Sequence, residues 1–237
     1  MRFRRLGFWP YLAVIAVLLL TAMLAGSFSG QAVRTSGEGR GQLIIIDPGH
    51  GGEDGGAMSA AGIRESDINL SISLRLRDLL RLCGMETSMT REEDCALYDP
   101  GCSTIAQKKA SDLRNRAATM NNHPDAILLS IHQNHFSEEK YRGAQVFYND
   151  VPGSAELAKS LQESLRQGVD PNNHREIKPA QSVYLMEHTG NIAALIECGF
   201  LSNREEAMLL TDPAYQKKII SGICAGLLRN LSERSLL

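Results

Sequence analysis

The sequence predicts an α/β domain with a largely parallel, mixed sheet of about six strands flanked by helices, behind an N-terminal transmembrane or signal helix. From residue 43 onward, short runs of aliphatic residues alternate with longer segments of helical periodicity. The composition, 43% hydrophobic and 22% charged, is that of a globular protein. The chain that follows the N-terminal segment has the length of a single domain.

Residues 1–30 are predicted to be a membrane anchor or a signal segment. Three arginines among the first five residues precede an apolar run from Leu6 to Gly26. About 20 apolar residues cross a bilayer, and the arginines favour the cytoplasmic side, so the rest of the chain would be exported. A retained anchor is favoured because signal-peptide cores span about 7–15 residues. Cleavage within Ala25–Ser27 and a buried helix are the alternatives. Residues 31–41 then form a Gly-rich linker and 42–233 the folded domain.

Charge and cysteine spacing exclude several classes of function. Residues 1–40 carry five arginines and one glutamate, so the rest of this net −2 chain carries −6, which argues against a nucleic-acid surface. The five cysteines form no CxxC pair, which argues against a zinc knuckle or a thioredoxin motif. Cys95 and Cys102 flank a short loop and are either a disulfide or two free thiols.

The first half of the domain alternates strand and helix twice. The run LIIID at 43–47 ends at a Pro-Gly pair, as expected of a fully buried strand. Ser66 is a candidate N-cap for a helix with apolar residues at four-residue spacing, and Gly84 ends it. Residues 85–90 predict a second strand, and residues 105–122 predict a second helix.

The second half continues this alternation. Residues 126–131 (AILLSI) and 144–148 predict the third and fourth strands. A helix is predicted at 154–168, and a late buried strand at 193–196 (AALI). The Asp-Pro pair at 212–213 begins a C-terminal helix, because proline is favoured in a first helical turn.

Polar side chains near the ends of these strands predict the functional site. His50 follows the first strand, His132 the third and Glu197 the late strand, while Glu65 begins the helix that leaves the same edge. Ligands of such sheets collect at the carboxyl ends of the strands. Two histidines with one carboxylate, and a position open to water, are a ligand set of catalytic Zn²⁺. A second carboxylate can then serve as general base.

Each of these residues also has a purely structural interpretation. A lone histidine at a strand end is often a hydrogen-bonded core or rim group. Glu197 could instead form a structural salt bridge, because an ionised carboxylate beside a buried strand is costly unless it is paired. His135 competes with His132 as a ligand and ranks below it, because the strand brings His132 to the edge first.

Together the motifs resemble the zinc-dependent N-acetylmuramoyl-L-alanine amidases of the type 3 amidase family. The similarity covers residues 43–232 and includes DPGHGGEDGGA (47–57), GIRE (62–65), TREED (90–94), LRNRA (113–117), SIHQN (130–134), GAQ (143–145) and IECGFLSN (196–203). The resemblance implies a catalytic domain that acts on peptidoglycan. It also implies that Zn²⁺ is bound by His50, Glu65 and His132, with Glu197 as the catalytic carboxylate.

Asn134 and Arg91 are weaker candidates for binding substrate or for supporting the metal ligands. The chain departs from the family at Ile192, where a proline is frequent, and at His135, where a small residue is common. Some family members occlude the zinc with an inserted helix, but residues 149–182 are too few for one beyond the predicted helix there. We therefore expect an open site.

A narrower resemblance is to the sporulation branch of the family, whose members remove peptides from muramic acid before muramic δ-lactam forms in spore cortex. The segments RGAQVFYN (142–149) and SVYLMEHTG (182–190) carry it. It implies that the exported enzyme, anchored to membrane or secreted to the cell wall, faces the space between the forespore membranes. The sequence does not identify an activating partner. The alternatives are a non-catalytic peptidoglycan-binding or regulatory module and a zinc peptidase that acts on the stem peptide.

Overall fold

The computed structural model describes residues 41–235, and the predicted anchor at Leu6–Gly26 lies outside them. In this part of the chain the strands of a six-stranded sheet are β1 (Ile44–Pro48), β2 (Thr87–Met89), β3 (Ile127–Asn134), β4 (Gln145–Tyr148), β5 (Lys178–Pro179) and β6 (Ile192–Phe200). The helices are α1 (Glu65–Leu82), α2 (Ile105–Asn121), α3 (Ser154–Gly168), α4 (Tyr184–Glu187), α5 (Arg204–Thr211) and α6 (Pro213–Ser235). Within the described range, no helix is long and apolar enough to span a membrane.

The sheet has the order β2-β1-β3-β6-β4-β5 and is parallel except where β4 runs antiparallel to β6. The predicted single α/β domain with a largely parallel mixed sheet is therefore confirmed. Strand β6 lies between β3 and β4, so that His132 and Gln145 are both direct neighbours of Glu197 in the sheet. This register brings polar residues from distant parts of the chain onto adjacent strands.

The two faces of the sheet are covered unequally. On the first face, α1, α3 and α6 contribute a large apolar core that includes Ile72, Leu76, Leu161 and Ile223. On the second face, α2 and α4 cover a smaller cluster that includes Met120, Leu185 and Leu195. Because side chains alternate along a strand, His132 and Glu197 lie on the second face, opposite their buried neighbours in the first core.

Strands β3 and β6 are longer than their apolar runs predict. The expected strands ended at residues 131 and 196, with His132 and Glu197 just beyond them. In the structure, β3 continues to Asn134 and β6 to Phe200, so both side chains project from within strands. The backbone pairing of β3 with β6 extends past the apolar run because the ladder needs only main-chain groups.

The start of α1 also differs from the prediction. Ser66 does not cap the helix; Arg64 is the N-cap residue and makes no side-chain cap hydrogen bond. Glu65 instead begins the helix, where the positive end of the helix dipole favours a carboxylate. By contrast, Thr104 forms a capping box with Gln107 at the start of α2. The short elements β5, α4 and α5 were not predicted, because a few residues carry too little periodicity.

All five cysteines are free thiols, including Cys95 and Cys102. Of the two interpretations of that pair, the structure therefore has the unpaired one. The Cys83 and Cys224 sulfur atoms lie 3.9 Å apart, where the end of α1 meets α6.

Candidate metal centre

Three of the predicted site residues meet at one point. His50 lies in the loop after β1, Glu65 is the first residue of α1, and His132 lies in β3. One ligand atom from each lies within 4.8 Å of the others. The two Glu65 oxygens are 3.0 Å from His132 Nδ1 and 3.3 Å from His50 Nε2. Two imidazoles and a carboxylate at this spacing form a possible metal site.

The Glu65 carboxylate is held in place by hydrogen bonds on both oxygens. The Ala57 N–H donates to Oε2 over 2.8 Å, and the Gln133 N–H donates to Oε1 over 3.1 Å. Burial alone would raise the pKa of Glu65, but the hydrogen bonds and charges of His132 and His50 hold it well below its usual range. The carboxylate is therefore ionised, as a metal ligand must be.

His50 is positioned from both sides. Its Nδ1 lies 3.0 Å from an oxygen of Asp54, and its backbone φ of 61° lies in the left-handed region, which is rare outside glycine. Burial would lower the pKa of His50, but hydrogen bonds to Asp54 and Glu65 raise it to about 9. Asp54 was not predicted as a site residue. A carboxylate four residues after a candidate ligand histidine was the signal available, since such groups commonly orient metal-binding imidazoles.

Two glycines allow the backbone to approach these side chains closely. A Cβ at Gly49 would lie 2.2 Å from the His132 ring. A Cβ at Gly56, where φ is +67°, would lie 2.5 Å from Glu65 Oε2. These two glycines of the DPGHGGEDGGA segment therefore make room for the candidate ligands.

The loop that carries His50 is fastened by Arg116 of α2. This guanidinium donates to the Asp47 carboxylate and to the backbone carbonyls of Pro48 and His50, over 2.7, 2.9 and 2.7 Å. Arg116 and Asp47 are both almost fully buried. Burial would raise the pKa of Asp47, but the charge of Arg116, together with His132 and the hydroxyl hydrogen bonds of Thr90 and Ser130, lowers that pKa. Sequence reasoning missed Arg116, although the LRNRA motif contains it.

Arg91 lies beneath the same loop. It is 3% exposed and donates to the carbonyls of Pro48, Gly49 and Ser66 over 3.0, 3.0 and 3.1 Å. Of the two roles predicted for Arg91, this geometry suits support of the ligand loop.

Glu197 lies next to His132 in the sheet but outside the three-residue group. Its Oε2 is buried and has no hydrogen-bond partner among the described residues. Burial is the main cause that raises the pKa of Glu197, to about 7; His132 and His50 oppose the shift, and Glu65 adds to it. A carboxylate oxygen that is buried without a partner is unusual in a folded protein, and beside a candidate metal site it indicates a functional group.

The remaining candidates are not members of this three-residue group. Asn134, at the end of β3, lines a groove beside Gln145 and Phe200. His135 lies beyond the strand and is exposed, and it is not part of the group. Helix α3, the element predicted within residues 149–182, packs on the opposite face of the sheet through Leu161 and its neighbours.

Fold and site together define a class of protein. The family model for N-acetylmuramoyl-L-alanine amidase (Amidase_3) matches residues 44–229, and the chain belongs to this family of peptidoglycan amidases. The resemblance inferred from the motifs is confirmed.

The particular relatives narrow the comparison. The chain is 40% identical over 195 residues to the germination-specific N-acetylmuramoyl-L-alanine amidase of Bacillus subtilis strain 168. The matched region covers 82% of this chain and 81% of that protein. The CwlD amidase of Clostridioides difficile, solved in complex with the GerS lipoprotein, has a TM-score of 0.78 and 44% identity, covering 81% of this chain and 98% of that one. An N-acetylmuramoyl-L-alanine amidase of Clostridium difficile 630 has a TM-score of 0.71 and 28% identity, with coverages of 82% and 98%.

Proposed function

We propose that this amidase hydrolyses the bond between N-acetylmuramic acid and L-alanine with a Zn²⁺ ion held by His50, Glu65 and His132, and with Glu197 as its catalytic carboxylate. One observation carries the assignment. Three candidate ligand atoms lie within 4.8 Å of one another, and an unpartnered buried carboxylate oxygen lies on the adjacent strand. The ligands and the acid–base group are thus separate residues.

The donor set fits zinc. Two imidazole nitrogens and one carboxylate form a catalytic ligand set that leaves a fourth position for water. A bound zinc ion would supply a water of lowered pKa, about 7, and polarisation of the scissile carbonyl. Asp54 accepts from His50 Nδ1 and so orients the ring with Nε2 toward the centre.

Glu197 then handles the protons. Its carboxylate takes one proton from the attacking water and delivers it to the alanine nitrogen as the carbon–nitrogen bond breaks. The products are a free lactyl carboxylate on muramic acid and a free amine on the stem peptide. In the metal-free protein burial raises the pKa of Glu197 to about 7, and a carboxyl group of raised pKa can both accept and donate a proton.

The biological setting follows the relatives. Similarity to a germination-specific amidase and to an amidase solved with a lipoprotein supports a role in spore cortex maturation, before muramic δ-lactam formation, and supports a protein partner. We further propose that residues 1–30 anchor the enzyme or direct its export, that 31–41 form a linker, and that 42–233 are the catalytic domain. The enzyme would then act outside the cytoplasm at the cell wall.

Mass analysis of muropeptides tests the reaction. Purified sacculi are digested with the wild-type protein, with Glu197→Gln, and with His135→Ala as a control at an exposed histidine. Free lactyl ends from the wild type and His135→Ala, but not from Glu197→Gln, are the expected result. Shortened stem peptides would indicate a peptidase instead, and unchanged muropeptides would indicate a binding module.

A further inference from the structure

A groove opens next to Glu197 on the second face of the sheet. We call it the β4 groove; its lining includes Asn134, Tyr141, Gln145, Arg175, Lys178 and Phe200. Gln145 is the β4 neighbour of Glu197, and Asn134 is the β3 neighbour of Phe200. The groove therefore begins one strand away from the proposed catalytic carboxylate.

The charge of the β4 groove is opposite to that of the chain as a whole. Its lining contains two cations, Arg175 and Lys178, and no carboxylate, whereas the chain has a net charge of −2. Within residues 41–235, neither cation has a carboxylate oxygen within 4.0 Å, although many other surface arginines and lysines do. An anionic group would be attracted to this groove.

The Arg175 guanidinium is held in one orientation. Its Nε donates to the Arg142 carbonyl over 2.9 Å, and Nη1 donates to Gln145 Oε1 over 3.2 Å. The guanidinium lies 4.4 Å from the centroid of the Phe200 ring and 5.9 Å from that of Tyr141. Its Nη2 has no partner in the described part of the chain. The fixed plane leaves donors available to a ligand.

No full counter-charge balances this guanidinium. Burial lowers the pKa of Arg175, and the charges of Glu206 and Tyr141 oppose that shift only in part. The Glu206 carboxylate is itself occupied, because it accepts from the N–H groups of Gly143 and Phe200. A half-buried arginine with free donors and no bonded carboxylate is typical of an anion-binding position.

We propose that Arg175, assisted by Lys178, binds a carboxylate of the stem peptide and makes the β4 groove the peptide subsite of the enzyme. This inference rests on the proposed amidase function. A peptide attached through its amino end keeps its carboxylates, whereas an N-acetylated glycan offers no such charge. Strands lie about 4.8 Å apart, and an extended peptide advances about 3.3 Å per residue. A groove that begins one strand from Glu197 therefore suits a carboxylate on the second or third residue of the stem.

Binding of stem tripeptides that begin with L-alanine tests this without hydrolysis. Calorimetry compares the free-acid and carboxamide forms on the metal-loaded wild type, Arg175→Met and Arg229→Met. Arg229 is an exposed arginine of α6, outside the groove, and its substitution removes the same charge. The free acid should bind the wild type and Arg229→Met about 10- to 100-fold more tightly than the amide. Arg175→Met should lose most of this preference and keep only the about two- to fivefold share of Lys178.

A second arm uses the matching N-acetylmuramoyl peptides as substrates. The ratio of kcat/KM between acid and amide should fall in Arg175→Met to the about two- to fivefold preference that Lys178 supplies. Lys178→Met, which changes an exposed residue, should reduce the ratio about two- to fivefold. Equal binding and equal turnover of both forms by an active wild type would overturn the proposal. An acid preference that depends on Arg175 in a protein that cleaves neither substrate would support the groove assignment and overturn the proposed function.

Discussion

The two faces of the sheet are built from different kinds of residue. The first face, under α1, α3 and α6, is continuous aliphatic packing in which Ile72, Leu76 and Ile223 are fully buried. The second face carries Asp47, Ser130, His132 and Glu197 on the same strands. Adjacent residues of one strand thus have different roles, packing in the core or forming the site, since alternate side chains point to opposite faces.

The first face contributes most of the stability, and the second face carries the chemically reactive groups. Apolar burial on the first face contributes roughly 25 cal/mol per Å². On the second face, burying ionisable groups costs free energy unless partners compensate, as Arg116 does for Asp47. Glu197 has no such partner. Substitutions on the two faces should therefore separate activity from stability.

Glu197→Gln should have the largest effect on activity. It should not destabilise the folded protein. Turnover should fall by roughly 10²–10⁴-fold, because glutamine cannot accept a proton. The raised pKa of Glu197 means that its ionised form is disfavoured in the folded protein, so its cost appears as pH rises toward about 7. In metal-free protein above pH 7 the variant should unfold at an equal or higher temperature than the wild type. A variant that is active, or clearly less stable there, would contradict this account of Glu197.

Asp47→Asn should show that the buried charges of the second face need their partners. Removing one member of a buried pair typically costs about 3–5 kcal/mol, and denaturant unfolding at pH 7 measures it. Because the folded pKa of Asp47 is lowered, its contribution is present above the unfolded value of about 3.9 and is lost as pH falls further. The difference between wild type and variant should therefore shrink below about pH 4.

Glu53→Gln is the matched control for that pair. Glu53 binds Lys108 over 2.8 Å but is largely exposed, so its substitution should destabilise the protein far less than Asp47→Asn does. Equal losses for both variants would mean that burial does not distinguish the two ion pairs.

Leu76→Ala should destabilise the first face without changing the chemistry. Deleting a fully buried leucine side chain costs about 2–5 kcal/mol, and thermal unfolding would register it. Turnover per folded molecule should stay within about twofold of the wild type. A large loss of turnover in folded Leu76→Ala protein would show that the two faces are not separable.

Gly56→Ala should produce a smaller effect that is specific to the site. Its Cβ would collide with Glu65 Oε2, and we expect zinc affinity to fall by about 10-fold or more. Gly62→Ala is the control, because Gly62 also has a positive φ, +79°, but has nothing within 4 Å of a built Cβ. Both variants should show similar backbone strain in unfolding experiments. A similar loss of zinc affinity in both variants would contradict the idea that Gly56 is needed to make room for Glu65.

Much of this architecture could be predicted from the sequence, for identifiable reasons. Aliphatic runs such as LIIID and AILLSI mark strands wherever both faces are buried, and Pro213 marks the start of α6. The ends of β3 and β6 could not be placed, because polar His132 and Glu197 interrupt the apolar pattern while the backbone ladder continues. Runs of apolar residues therefore predict the strands, but they do not predict where a strand ends when its last residues are polar groups of the second face.

Some residues of the site could likewise be predicted from the sequence, and others could not. His50, Glu65, His132 and Glu197 could be named because chemistry restricts the residue types. Arg116 and Arg175 could not, because their roles depend on hydrogen bonds that span tens of residues. Asp54 lies only four residues after His50, and that spacing was its available signal.

The central claim is that the zinc ligands and the acid–base group are different residues. The most direct test is the zinc content of folded variants. Zinc is measured by atomic emission after dialysis of wild type, Glu65→Ala, Glu197→Gln and His135→Ala. Circular dichroism confirms the fold of each variant. The account predicts near-stoichiometric zinc in the wild type, Glu197→Gln and His135→Ala, with a large loss in Glu65→Ala, which lacks one of three proposed protein ligands. Full zinc in folded Glu65→Ala, or its loss from folded Glu197→Gln, would contradict the account.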